Sequence, residues 1–110
     1  MSFNIYTTDF FDKELKRLSR KYPSVKKDFI KLIDLLKEDP MQGQPLGKDC
    51  YKIRMAITSK GKGKSGGSRL ISCVKIVAGS VFLLSIYDKG DKESISDKEL
   101  DKLLRLAGLL

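Results

Sequence analysis

Apolar positions near the start of the chain change from a two-residue period to a helical one. Phe3 and Ile5 alternate with their neighbours, which predicts a short first strand. Two runs at helical spacing follow, each with a capping residue before it and a proline after it. The caps are Asp9 and Ser24, the prolines are Pro23 and Pro40, and the apolar stripes are Phe11, Leu15, Leu18 and Tyr22, then Val25, Phe29, Leu32, Ile33 and Leu36. The pattern predicts a helical hairpin packed on a sheet.

The second half of the chain, after a connection rich in proline and glycine, has the pattern of β-strands. Apolar and polar residues alternate along the first of these strands, so an apolar face toward the helices puts Lys52 and Arg54 on the opposite, open face. The polar loop Thr58–Gly67 leads to a second strand, Ser68–Val77, rich in β-branched residues. The continuous apolar run Val81–Tyr87 is typical of a central strand covered on both faces.

A final helix is predicted near the end of the chain. Ser96 and Glu99 have the spacing of a capping box. The apolar face that follows comprises Leu100, Leu103, Leu104 and Ala107. The element order is therefore β-α-α-β-β-β-α. It predicts a single α+β domain over residues 1–110, in which a small antiparallel sheet packs against the helical hairpin.

Composition narrows the classes of protein that the chain could be. No apolar run is long enough to span a membrane, and the first residues lack the pattern of a signal peptide, so we expect a cytoplasmic protein without a membrane partner. Cys50 and Cys73 are interpreted as buried free thiols rather than a redox pair or metal ligands. The chain contains no histidine, so acid–base chemistry near neutral pH would depend on Lys, Tyr, Asp or Glu.

The positive charge of the chain is concentrated in one segment. Residues 51–87 contain seven cations and no acid, and these cations supply most of the net charge of +8. They are Lys52, Arg54, Lys60, Lys62, Lys64, Arg69 and Lys75. A basic segment with several glycines favours binding to a polyanion, with RNA or DNA as the leading candidate. The alternative is a solvated basic loop without a specific partner.

Individual residues refine this interpretation. The glycine-rich loop lacks the spacing of an ATP-binding phosphate loop and joins two strands, which argues against an NTPase. Arg69 stands where the loop re-enters the sheet, so a rigidly held guanidinium could bind a phosphate with two hydrogen bonds. It could instead be a charge that protects a strand edge. Tyr87, at the end of its strand, could stack on a base or transfer a proton, or be an ordinary strand-end tyrosine.

The segments Tyr51–Arg54, Lys62–Ile71 and Leu83–Glu93, with the leucine-rich helix after them, resemble the RelE/ParE toxin superfamily. The resemblance is closest to its HigB-type branch, whose members share the lysine-rich loop, the Gly-Gly-x-Arg motif and the Tyr-x-Lys strand end. It covers almost the whole chain and is strongest over residues 51–93. The element order also agrees with the β-α-α-β-β-β core of the superfamily.

This resemblance implies the toxin of a type II toxin–antitoxin system, which cleaves mRNA on the ribosome and is neutralised by a cognate antitoxin. The ribose 2′-hydroxyl attacks the adjacent phosphate, and no metal or other cofactor is needed. By position, Arg54 and Arg69 would clamp the phosphate and Tyr87 would orient the nucleotide. Lys89 and Lys92 are candidates for proton transfer. The predicted RNA-binding residues are Lys52, Lys60, Lys62 and Lys64.

Two alternatives to a ribonuclease remain. ParE-type members of the superfamily act on DNA gyrase without cutting RNA, so the basic loop could be only a docking surface. A module that binds RNA without turnover is the third possibility. The presence of Arg54, Arg69 and Tyr87 together favours cleavage, because docking to a protein does not demand all three.

Overall fold

The computed structural model describes residues 2–61, 63–92 and 94–110. Its main elements are β1 (Asn4–Thr7), α1 (Asp9–Lys21), α2 (Val25–Glu38), β2 (Gln44–Gly47), β3 (Cys50–Met55), β4 (Ser68–Lys75), β5 (Ser80–Asp88) and α3 (Asp97–Leu106). Two short 3₁₀ turns, Thr58–Lys60 and Lys64–Gly66, lie between β3 and β4. No helix among the described residues is long and apolar enough to cross a bilayer.

The five strands form one sheet in the order β1-β5-β4-β3-β2. The α+β class is confirmed, but the sheet is mixed rather than wholly antiparallel, because β1 runs parallel to β5. Strand β2 was not predicted. It contains Pro45 and lacks apolar alternation, and a proline is tolerated in β2 because this strand lies at the edge of the sheet.

The two faces of the sheet are covered by different helices. Helices α1 and α2 pack on one face, where Ile53 and Met55 of β3 join the larger apolar core. Helix α3 packs on the other face against a smaller cluster that contains both cysteines, which are free and buried as predicted. The alternation along β3 is therefore confirmed. The face that carries Lys52 and Arg54 is, however, partly covered by α3 rather than open.

The helix starts agree closely with the predicted caps. The hydroxyl of Thr8, one residue before the predicted Asp9, accepts a hydrogen bond from the Phe11 amide at 3.0 Å. The Ser96–Glu99 capping box of α3 is confirmed. Ser24 precedes α2, but its hydroxyl does not cap an amide of this helix; it donates to the Asp28 carboxylate and accepts from the Ser59 amide.

Asp28 anchors the end of β3 to the helical hairpin. Its carboxylate accepts hydrogen bonds from the backbone amide of Thr58, at 2.9 Å, and from the Thr58 hydroxyl. Partial burial alone would raise the pKa of this carboxyl, but the hydrogen bonds from Thr58 and Ser24 lower it below its ordinary value. Residues 58–67, called the basic loop, are therefore anchored at their first residue to α2.

Candidate functional site

Three predicted site residues lie side by side across neighbouring strands. Arg54 in β3 is the register partner of Arg69 in β4, and Arg69 is the partner of Tyr87 in β5. Register partners project from the same face of a sheet, so these residues form a cross-strand row on the face that α3 partly covers. Like charges directly opposite each other are destabilising. No carboxylate among the described residues pairs with Arg54, so an anionic ligand would relieve this repulsion.

A basic groove of about 370 Å³ lies beside the cross-strand row. Its lining residues are Gln42, Gly43, Gln44, Lys52, Ile53, Arg54 and Lys64. A second hollow of about 300 Å³ shares Arg54 and Lys64 with the groove and continues toward α2. The one carboxylate among its lining residues belongs to Asp28, which Thr58 and Ser24 already engage. The concave surface therefore presents cations and amide groups, which suit a chain of phosphates.

Two glycines, of which Gly43 lines the basic groove, allow neighbouring backbone to approach β3 closely. A Cβ on Gly43 would lie 2.2 Å from the carbonyl oxygen of Lys52, and one on Gly67 would lie 2.3 Å from that of Met55. Gly43 also has a positive φ of 91°, a conformation that residues with a side chain rarely adopt. Only glycine allows these close approaches without displacing β3.

Arg69 lies beneath the basic loop rather than on the surface, with 1% of its area exposed. Its Nη1 donates to the carbonyl oxygens of Lys64 and Ser68, both at 3.2 Å. Its Nη2 donates to the carbonyl oxygen of Ser65 at 3.4 Å. These bonds tie the loop to β4 and position Lys64. Direct contact between Arg69 and a phosphate stays a prediction, and it would require the loop to lift.

The structure brings Tyr87 and Lys92 together. The Lys92 ammonium lies 4.9 Å from the centre of the Tyr87 ring and forms an ion pair with Glu99 at 3.2 Å. The first turn of α3 thereby holds Lys92 over the ring. Tyr87 is only 6% exposed, so stacking on a base stays a prediction that requires neighbouring side chains to move. Lys89 has an exposed side chain, while its backbone amide donates to the Gly67 carbonyl oxygen at 3.1 Å.

Lys60 is engaged by an acid that lies just beyond the basic segment. Its ammonium binds the buried carboxylate of Asp88 at 3.0 Å, and the Tyr22 hydroxyl donates to the same carboxylate at 2.9 Å. Burial alone would raise the pKa of Asp88, but hydrogen bonds from the Gly90 amide, Lys60 and Tyr22 lower it. The same hydrogen bond to Asp88 raises the pKa of Lys60. RNA binding by Lys60 stays a prediction, because its ammonium already joins the sheet to the helical hairpin.

The remaining cations fall into three groups. Lys52 and Lys64 line the basic groove, and their role in RNA binding stays a prediction. Lys75 forms an ion pair with Asp49 at 3.2 Å, at the opposite end of β4. Lys62, which was also predicted to bind RNA, lies outside the described residues.

Glu14, which was not identified from the sequence, is a polar residue that joins α1 to β5. Its carboxylate accepts hydrogen bonds from the Ser85 hydroxyl at 2.8 Å and the Ile86 amide at 3.1 Å. Burial raises the pKa of this carboxyl, against the lowering effect of both hydrogen bonds. Strand β1 pairs with β5 only as far as Leu83. Beyond that point, the Glu14 carboxylate accepts the hydrogen bond from the Ile86 amide at the edge of β5. Its spacing from Phe11 places it within the apolar stripe of α1, a signal that could have identified it.

Gln42 and Gln44 were also missed as groove residues. Their segment has neither apolar periodicity nor a charge run, and it reaches the site only because β2 pairs with β3. No local signal in the sequence could have placed these amides beside Arg54.

We expect Asp88→Asn to lower the free energy of unfolding at pH 7 by about 2 kcal/mol, because a hydrogen-bonded charge pair is lost while the amide oxygen can still accept from Tyr22. The folded-state pKa of Asp88 is lowered, so its contribution is complete above pH of about 4 and is lost as the pH falls through the folded value. Urea unfolding at pH 7 and pH 3 should show that the difference in the free energy of unfolding between the wild type and Asp88→Asn is smaller at pH 3. Asp91→Asn, at an exposed acid in the same turn, is the control and should change little. An equal loss of stability at both pH values would contradict a stabilising role for the ionised Asp88 carboxylate.

The chain matches the sequence model described as "RelE toxin of RelE / RelB toxin-antitoxin system" over residues 5–110. Comparison with curated proteins gives no match.

Three solved structures share the fold. A double mutant of the Escherichia coli toxin RelE in the free state is 23% identical, with 84% of this chain and 90% of that one covered and a TM-score of 0.60. The isolated E. coli RelE toxin is 20% identical, with 96% and 99% covered and a TM-score of 0.61. The toxin–antitoxin complex RelBE2 of Mycobacterium tuberculosis is 15% identical, with 80% and 92% covered and a TM-score of 0.60.

The structural matches support the α+β fold, and the family match extends over nearly the whole length of the chain. The superfamily resemblance inferred from residues 51–93 is therefore confirmed, while the HigB-type branch stays a prediction. The chain belongs to the RelE toxin family of toxin–antitoxin systems.

Proposed function

We propose that this toxin is a ribosome-dependent endoribonuclease that cleaves mRNA without a metal ion. The observation that carries the proposal is the position of the cross-strand row beside the basic groove, where Arg54 belongs to both. A bound RNA strand would therefore run next to the residues that the resemblance marks as catalytic.

The basic groove would hold the RNA backbone. Lys52, Arg54 and Lys64 would neutralise successive phosphates, and the release of condensed counterions would favour binding. The amides of Gln42 and Gln44 can donate to and accept from base edges or sugar hydroxyls. This combination suits a single strand, whose bases are accessible.

The proposed chemistry is a transfer within the RNA chain. The 2′-oxygen bonds to phosphorus as the bond from phosphorus to the 5′-oxygen breaks, which leaves a 2′,3′-cyclic phosphate and a 5′-hydroxyl. Negative charge builds on the phosphoryl oxygens during the attack, and the Arg54 guanidinium would stabilise it. One group must take the proton from the 2′-hydroxyl and another must supply one to the 5′-oxygen. Lys89 and Lys92 are the candidates, and Arg69 would position the loop.

The test is to incubate purified toxin with translating ribosomes and to map the ends of the mRNA. We expect ribosome-dependent cuts with 2′,3′-cyclic phosphate and 5′-hydroxyl ends, and no cuts without ribosomes. Ends with a 3′-hydroxyl and a 5′-phosphate would contradict attack by the 2′-hydroxyl. A parallel assay of DNA gyrase tests the alternative, since gyrase inhibition with intact mRNA would favour a ParE-type activity.

The proposal includes a cognate antitoxin and a cytoplasmic site of action. The solved M. tuberculosis relative is a toxin–antitoxin complex. For this chain, a partner that covers the basic groove should carry acidic residues at the contact, because charge complementarity increases both encounter rate and specificity. Inhibitors of this kind often fold as they bind.

A further inference from the structure

Cys50 and Cys73 are direct neighbours on adjacent strands. They are register partners in β3 and β4. The amide of Val74 donates to the carbonyl oxygen of Asp49 at 2.9 Å, which makes the two cysteines a non-hydrogen-bonded antiparallel pair. The α-carbons of such a pair lie about 4.5 Å apart, within the roughly 4.4–6.8 Å that disulfides span. The backbone geometry thus allows a bond between the sulfurs without moving either strand far.

The two thiols also point toward one place. The Sγ atoms of Cys50 and Cys73 lie 3.3 Å and 3.8 Å from the carbonyl oxygen of Lys48, so both thiols donate to the same acceptor. The cysteines are 1% and 0% exposed and lie under the apolar face of α3. Their burial favours a bond between the two cysteines over a disulfide with a second protein molecule.

The pair is chemically asymmetric. The hydrogen bond from Cys50 lowers the pKa of Cys73 to about 7, with a further contribution from Lys75. The same hydrogen bond, together with burial, raises the pKa of Cys50. Cys73 is therefore the more acidic of the two thiols, and the thiolate is the nucleophile in thiol oxidation.

We propose that Cys50 and Cys73 form a redox modification site, which hydrogen peroxide converts into a disulfide between β3 and β4. The Cys73 thiolate attacks one peroxide oxygen, the O–O bond breaks, and the products are a sulfenic acid and hydroxide. The Cys50 sulfur then attacks the sulfenic sulfur, the S–O bond breaks and water leaves. The two sulfurs are oxidised by two electrons in all, and the peroxide is reduced to water. This inference is independent of RNA cleavage.

The oxidant must pass α3 to reach the sulfurs. Helix α3 is held over the pair by Leu100 and Leu104 and by an ion pair between Lys48 and Asp101. Hydrogen peroxide is little larger than water, so a small opening of α3 is sufficient for access. Larger disulfide oxidants would need a wider opening.

The disulfide would close a chain segment that carries both arginines of the cross-strand row. Arg54 and Arg69 lie four register pairs away from the cysteines on the same strands. A cross-link between residues 50 and 73 restricts the unfolded chain, so it should stabilise the folded toxin.

The experiment treats the reduced, full-length toxin with hydrogen peroxide at pH 7.5, then removes the peroxide with catalase. The denatured product is alkylated and digested, and its peptides are analysed by mass spectrometry. We expect peptides linked through Cys50 and Cys73, no alkylated cysteine and a monomeric protein. We also expect the melting temperature to rise by about 5–10 °C and to fall back after treatment with dithiothreitol.

Single variants separate the roles of the two sulfurs. Cys50→Ser, whose hydroxyl can still donate to the Cys73 thiolate, should still form a sulfenic acid at Cys73, which dimedone traps, whereas Cys73→Ala should react at least about tenfold more slowly. The wild-type result stands even if a variant fails to fold. Disulfide-linked dimers, a sulfinic acid on one cysteine, or two thiols that remain alkylable in the wild type would overturn the proposal.

Discussion

Replacing Arg54 with alanine should lower the rate of ribosome-dependent mRNA cleavage by about a hundredfold and leave the melting temperature within about 2 °C of the wild type. The rate falls because removal of one preorganised donor to transition-state charge typically costs about 3 kcal/mol. Stability changes little, because the Arg54 side chain is exposed and its loss relieves repulsion with Arg69. Single-turnover cleavage and thermal unfolding measure the two quantities.

A matched control is available in α3. Arg105 is exposed and lies outside the residues that line the basic groove, so Arg105→Ala removes the same charge from another surface. We expect it to cleave mRNA at a rate within about threefold of the wild type, as long-range electrostatic effects are screened by salt. If Arg54→Ala and Arg105→Ala lower the rate of mRNA cleavage equally, the loss is caused by the change in net charge and not by the position of Arg54 in the site.

Arg69→Ala should impair both stability and activity. Truncation removes the guanidinium hydrogen bonds to the carbonyl groups of Lys64, Ser65 and Ser68 and opens a cavity beneath the loop, so we expect a loss of about 3 kcal/mol in the free energy of unfolding. The loop would no longer hold Lys64 in the basic groove. Urea unfolding measures the first effect, and the rate of tryptic cleavage within residues 60–67 measures the second.

Arg69→Lys distinguishes positioning of the loop from a direct phosphate contact. Lysine keeps the positive charge but lacks the planar fork that reaches the three carbonyl groups. If Arg69 acts through the loop, this variant should show faster tryptic cleavage and a matching loss of mRNA cleavage. A lysine variant with a stable, protected loop and little activity would instead favour direct contact with phosphate.

Local features of the fold could be predicted because the determining residues are close in sequence. The Ser96–Glu99 capping box depends on groups three residues apart, and its prediction is confirmed. The alternation along β3 gave the correct face for Lys52 and Arg54, because side chains of a strand point to opposite faces in turn. Strand β5 is covered on both faces, as its continuous apolar run predicts.

Features that depend on distant residues could not be predicted in this way. The acid-free segment gave no sign that the Lys60 ammonium pairs with Asp88, which lies just beyond that segment in the sequence. Periodicity identified β1 without giving its partner or its direction. The burial of Arg69 follows from the path of the loop above it, and a charge pattern contains no information about that path.

The parallel pairing of β1 with β5 has a consequence for the synthesis of the toxin. Asn4 pairs with Ser80, so the first strand has no partner in the sheet until most of the chain has left the exit tunnel of the ribosome. Pairing between such distant segments is slow, because the entropy of closing a long loop is lost before the contacts form. Strand β5 also supplies Tyr87 to the cross-strand row. The cross-strand row can therefore be completed only after β5 has left the exit tunnel, late in the synthesis of the chain.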